Sequence, residues 1–207
     1  MLHAQRYLAP GLFYLSFVTL LATNDGPSVL PVYGLASAGL FICAAWIAVV
    51  LLSEEDAVQR SITVVNSGSS SRVLIAGVLT ALIVSLLLGL VGLTYPLLSS
   101  RQPVDPVVVV AGLEGVVISV CTGVAIGVVC SPLTIPRLGY SLLATMFWLG
   151  VVTLSPWIPL VHPALKILFT TSSANASTVA LAPIICYAVT TLVICGVTTH
   201  LISTRQR

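Results

Sequence analysis

Glu114 is the one ionisable side chain deep within an apolar stretch of the chain, in the run PVVVVAGLEGVVISV. A charged carboxylate at the centre of a membrane helix costs ~2.5 kcal/mol or more, so such a group must face protein or a watery cavity. If Pro106 marks the helix start, Glu114 lies roughly 12 Å from that end. Two roles fit it. One is a polar point on a substrate path, or a proton-titrating group; the other is a protonated carboxyl hydrogen-bonded to a neighbouring helix. Proton-coupled transport calls for further intramembrane partners, and the apolar runs offer none: the other acids are Asp25, Glu54, Glu55, Asp56 and Asp105, between the runs, and His3, His162 and His200 fall near run ends. The same distribution argues against intramembrane proteolysis, which needs a Ser with a His or paired aspartates within the spans. No GxxxxGK(S/T) is present, so the chain is not expected to hydrolyse ATP through a P-loop. Cys43, Cys121, Cys130, Cys186 and Cys195 lie in apolar stretches with no CxxC and no His at ligand spacing. They are expected to be buried, inert thiols, with no metal or disulfide framework.

The elements that position Glu114 follow from composition. Of 207 residues 57% are hydrophobic and 7% charged, and eight basic and six acidic side chains cannot supply the polar shell of a soluble core. Mean hydropathy is +1.11. The solvent is therefore expected to be lipid, and a net charge of +2 without a basic stripe speaks against a nucleic-acid partner. Runs near the ~20 residues that cross a bilayer core occur at 7–22, 32–52, 73–97, 106–130, 138–154 and 178–202. The first is followed by Thr23-Asn24-Asp25-Gly26-Pro27, a turn without a small-x-small cleavage site, and is expected to be a span rather than a secretory signal. With six spans, Arg6, Arg60, Arg72, Arg137, Arg205 and Arg207 fall on one face and only Arg101 and Lys166 on the other. The positive-inside rule then puts both termini in the cytoplasm. The expected fold is one all-α transmembrane domain over residues 1–207, multi-pass in the cytoplasmic membrane of a bacterium.

Small residues recur every fourth position in two runs: Ala111, Gly115, Ser119, Gly123 and Gly127 in the fourth, and Gly77, Ala81, Ser85 and Gly89 in the third. Lipid gives apolar helices no hydrophobic reason to associate, so close backbone approach over small residues supplies the contact. Both ridges are expected to face helices, within one subunit or at a dimer seam. Between runs two and three, Ser53 and Asp56 suit a helix start with the acidic triplet Glu54, Glu55 and Asp56 in its first turn. Ala57, Val58, Ser61, Ile62 and Val65 then share a mildly apolar face before a Ser/Gly cluster breaks the helix. Such a helix is a plain interfacial loop or a docking element for a soluble partner. After the fifth run, Pro156, Pro159 and Pro163 stand within eight residues, so this apolar stretch must pack on protein or dip into the membrane and turn back. A short helix over 164–169 and a polar turn over 171–178 are expected to follow. Asn175-Ala176-Ser177 matches a glycosylation sequon, a weak three-residue signal.

Six runs with both ends inside, the acidic-start helix over 54–65 with its Ser/Gly break and Arg72, and the Pro-rich stretch over 156–163 together resemble the membrane subunits of type-2 ATP-binding-cassette exporters. The resemblance implies a permease subunit, itself not an enzyme, that exports an amphipathic or hydrophobic substrate. It further implies a homodimer or heterodimer of permeases and a separate ATPase partner that binds ATP and Mg; no cofactor is implied for this chain. On that basis Glu54, Glu55, Asp56, Val58, Arg60 and Ile62 belong to a coupling helix against the ATPase, Glu114 is a candidate on the substrate path, and the outer segment corresponds to re-entrant helices. Two alternatives are a substrate-binding membrane subunit of a vitamin importer, which reaches its ATPase through a scaffold subunit, and a non-transporting accessory subunit.

Overall fold

The computed structural model describes residues 8–22, 30–53, 70–99, 105–131, 138–155, 161–170 and 174–205. These residues form seven α-helices and no strand: α1 (Leu8–Ala22), α2 (Leu30–Ser53), α3 (Ser70–Ser99), α4 (Pro106–Val129), α5 (Leu138–Leu154), α6 (Val161–Thr170) and α7 (Ala174–Arg205). Many are rich in Val and Ile, residues with modest helix propensity in water. An apolar solvent overrides that preference, because every backbone N–H and C=O must then be satisfied within the segment.

Among the described residues four stretches are long and apolar enough to cross a membrane: Leu30–Ser53, Ser71–Tyr95, Pro106–Val129 and Leu181–Thr199. The remaining two apolar stretches, Leu8–Leu21 and Gly139–Leu154, are shorter. At 1.5 Å per residue the 15 residues of α1 reach about 22 Å, less than the ~30 Å hydrocarbon core.

Local signals explain the best-defined helix ends. The Asp105 carboxylate accepts a 3.1 Å hydrogen bond from Val107 N while Pro106 occupies the first turn, where its missing N–H is harmless. At the other end of α4, Cys130 N donates to Ile126 O, and the Ser141 hydroxyl of α5 donates to Cys130 O, satisfying a carbonyl the helix leaves open. The stretch expected to be a polar turn over 171–178 differs from Ala174 onward, which is already helical in α7. Pro163 lies in the first turn of α6, where no intrahelical donor is lost.

Helices α2 and α4 form the centre. They pack more extensively against each other than any other pair, and α4 against α7 comes next. Opposite faces of the pair build two cores. Leu40, Ala44 and Ala48 of α2 and Val116, Val120 and Val124 of α4 join Tyr14 and Val18 of α1 and Ala81 and Leu93 of α3. Phe41 and Ala45 of α2 and Ala111 and Ile118 of α4 join Leu149 of α5, Ala164 and Leu168 of α6, and Leu181 and Ile184 of α7. The outer faces of α1, α3, α5 and α7 are also apolar: Leu12, Ile75, Leu87, Phe147, Trp148 and Ile194 are all exposed. A soluble monomer does not leave so much apolar side chain in water. Inside and outside are alike, as expected of a bundle dissolved in lipid.

Candidate functional site

The small-residue ridge of α4 is the seam on which α2 lies. A Cβ placed on Gly115 would come 2.9 Å from Ser37 Oγ, one on Gly123 would come 2.6 Å from Phe41 O, and one on Gly127 would come 2.5 Å from Ala48 Cβ. Ala111, Gly115, Ser119, Gly123 and Gly127 are all buried. Contacts advance together along both chains, from Ser37 with Gly115 to Ala48 with Gly127, so α2 and α4 run parallel although α3 separates them in sequence. Sequence spacing marked the ridge on α4 but not its partner, because α2 answers with Ser37, Phe41, Ala44, Ala45 and Ala48, an irregular set of small residues and one ring.

The α3 ridge meets the same pair. A Cβ on Gly89 would lie 2.5 Å from Val116 Cγ1 and 2.9 Å from Leu40 Cδ2, while Gly77 approaches Leu52. Ala81 and Ser85 are fully buried. Leu40 with Gly89 and Leu52 with Gly77 make α3 antiparallel to α2. The ridge continues to Gly92, which the four-residue repeat passes over; a Cβ there would run into Tyr14 Oη. In both ridges the facing surface is therefore filled from within the chain.

Many hydroxyl groups are satisfied on the preceding turn, at outward positions and at the buried Thr122 and Thr145 alike. Thr19, Thr80, Thr153 and Thr191 each donate to the carbonyl four residues back, at 2.7 to 2.8 Å. A polar side chain in an apolar helix thus satisfies itself on its own backbone. Tyr14 Oη, Ser37 Oγ, Ser85 Oγ, Ser131 Oγ and Glu114 Oε2 are buried atoms that find no hydrogen-bond partner among the described residues. An unsatisfied buried polar group costs about 1–3 kcal/mol, more if charged. Of the five, Glu114 alone has the capacity to carry charge in the physiological range. Its side chain is half-buried on α4 beside the buried ridge residue Gly115. The hydrogen-bonded structural role for Glu114 thus finds no partner for Oε2 among the described residues, and the carboxyl remains an uncommitted acceptor or donor. Tyr14 and Ser37 were not singled out by sequence, since a Tyr or Ser in an apolar run does not announce which way it points.

The remaining candidates fall elsewhere. Glu54, Glu55, Asp56, Val58, Arg60 and Ile62 lie outside the described residues, as do Pro156 and Pro159. Ser53 ends α2 with its hydroxyl donated back to Val50 O at 2.8 Å. The segment after α5 resumes as α6, a ten-residue helix whose Val161, Ala164 and Leu168 are buried against the α2, α4 and α7 side of the bundle. The cysteines are all free, but the expected burial holds only for Cys43 and Cys130; Cys121 and Cys195 are half-buried and Cys186 is exposed. An outward-facing thiol on α7 is tolerated because its surroundings are apolar on either side. No group of three or more potential metal ligands occurs among the described residues.

Comparison with protein families, with curated proteins and with solved structures returns no match.

Proposed function

We propose that the chain is the permease subunit of an ATP-driven exporter, working as a dimer with a separate ATP-binding-cassette ATPase, and that α1 to α5 and α7 are six spans with both termini in the cytoplasm. The observation that carries this reading is α6. A ten-residue helix, too short to span, follows the proline-rich stretch and is packed between the central helices and the last one. The resemblance calls for a re-entrant element at that place in the chain. Two features support it further. The central α2–α4 pair is packed through backbone contact and suits a rigid body against which outer helices move, and beside that seam Glu114 Oε2 finds no partner among the described residues. In this mechanism, closure of the ATPase pushes on the segment over 54–65, which lies outside the described residues, and the spans open a path for an amphipathic substrate from the cytoplasm or inner leaflet to the outside.

The test is affinity purification of the tagged chain from its native membranes in mild detergent. An ATP-binding-cassette ATPase recovered in equal amount, with Mg-dependent hydrolysis in the eluate, is the expected result. Recovery of the chain with only a scaffold-type membrane protein, or with no ATPase, overturns the proposal.

A further inference from the structure

Glu114 stands on the least buried stripe of α4. Val110 and Leu113 on one flank are 48% and 41% exposed, and Val117, one turn on, is half-buried. Ala111 and Ile118 on the opposite flank belong to the core shared with α6 and α7. The carboxyl therefore sits where the bundle meets lipid, with Oε2 covered and without a partner among the described residues. Ser37 Oγ of α2, a second buried oxygen without a partner there, lies against Gly115, the next residue of α4. The 24 residues of α4 reach about 36 Å against a ~30 Å hydrocarbon core, so a centred helix carries Glu114 about 9 Å inside that core.

We propose that the Glu114 carboxyl holds in turn a proton or a lipid-borne organic monocation, each displacing the other, and that the cation reaches it sideways from the membrane. An ionised carboxylate at this depth has to be neutralised. Nothing described in the bundle does so: no charged or titratable side chain of the helices packed on α4, whether Tyr33 or Cys43 of α2, Arg72 of α3, Tyr140 of α5, His162 or Lys166 of α6, or Tyr187 of α7, acts on the carboxyl. The neutralising charge then comes from outside the chain, and one carboxylate takes one. It is a proton, giving the neutral acid, or a cation beside the anion. Cation binding to the acid form is thus an exchange: the O–H bond breaks, the electron pair stays on the carboxylate, and one proton leaves to water.

The surroundings select the cation. A small inorganic ion would have to shed its water to come this far into hydrocarbon, whereas a cation wrapped in apolar groups is already dissolved there. The exposed neighbours Val110 and Leu113 are aliphatic and offer such groups a surface, while the carboxylate supplies the charge. The inference names the substrate class of the proposed permease and rests on that reading for its purpose, but the binding step needs no ATPase. Absence of an ATPase partner and absence of cation binding are therefore separate failures.

The test uses the full chain in phosphatidylcholine nanodiscs, with labelled tetraphenylphosphonium as the probe and empty nanodiscs subtracted. In weak buffer near pH 6, an indicator dye is expected to report about one proton released per cation bound. Apparent affinity is expected to rise up to tenfold per pH unit while the carboxyl is protonated and to level once it ionises, because the cation no longer competes with a proton. Glu114→Gln is expected to release no proton and to bind about tenfold more weakly near pH 8, with no pH dependence, and Glu114→Asp to restore both properties. Should Glu114→Gln fail to fold, the proton count of the wild type still decides. Wild-type binding without proton release, affinity independent of pH, or equal binding by the folded Glu114→Gln variant overturns the exchange. Proton release by sodium chloride equal to that by tetraphenylphosphonium overturns the lipid-borne source.

Discussion

Gly123→Ala is expected to destabilise the protein although it adds a single carbon. In water the change would favour the helix by up to ~1 kcal/mol, since Ala is the better helix former. Here the new Cβ would stand 2.6 Å from Phe41 O, 2.9 Å from Ala44 Cβ and 3.2 Å from Ala45 N. Two of those atoms are backbone and the third is a methyl fixed to it, so no side chain can swing aside. Restoring ordinary contact at 3.4 Å requires α2 and α4 to part by about 0.8 Å at this point. A gap of ~0.5–1 Å forfeits a quarter to a half of each dispersion contact along the seam. Overpacking of this kind costs roughly 1–3 kcal/mol, which exceeds the propensity gain. Gly150 on α5 is the control, because a Cβ there meets nothing within 4 Å. Thermal denaturation in detergent, followed by intrinsic fluorescence, is expected to show Gly123→Ala well below the wild type and Gly123→Leu lower still, with Gly150→Ala unchanged or slightly higher. Equal melting temperatures for Gly123→Ala and Gly150→Ala would refute the seam as a close-packed contact.

Glu114→Gln is expected to preserve folding and to raise the concentration of a cationic amphiphile, such as tetraphenylphosphonium, needed for half-maximal uptake into inverted vesicles. Loss of one charge-assisted contact corresponds to roughly tenfold; uptake at limiting substrate that matches the wild type would return Glu114 to a structural role. Replacing Glu54, Glu55 and Asp56 together with Ala is expected to abolish ATPase copurification and substrate-stimulated hydrolysis with membrane insertion intact, and full hydrolysis in that triple variant would remove the coupling assignment. Tyr14→Phe deletes a fully buried hydroxyl without a partner among the described residues, and is expected to leave stability unchanged or raise it by about 1 kcal/mol. A drop in melting temperature there would reveal a bound water or solute on Oη.

The pattern of hydroxyls separates two kinds of polar residue that look identical in sequence. Thr80 and Thr191 carry their acceptors with them on the preceding turn, so they sit on outward faces at little cost. Ser37 and Ser85 are buried, and neither finds an acceptor among the described residues. Both lie on the faces through which α2, α3 and α4 meet.

Composition alone dictated the solvent and the secondary structure. With 57% hydrophobic residues and so few charges, the chain has to dissolve in lipid, and in lipid an apolar run has to be a helix. That is why runs expected at 32–52 and 106–130 appear as Leu30–Ser53 and Pro106–Val129. The α4 ridge was equally legible, because close approach between apolar helices depends on small side chains at helical spacing. Tertiary structure alone decided which faces turn inward. When the surroundings are as apolar as the core, residues on the two sides of a helix are of the same kind, and periodicity carries no direction; Leu40 is buried and Ile42 exposed with nothing in their types to separate them. The parallel pairing of α2 with α4 and the approach of Tyr14 to Gly92 both join residues far apart in sequence. They follow from how the helices fill space together, a property that no single apolar run contains.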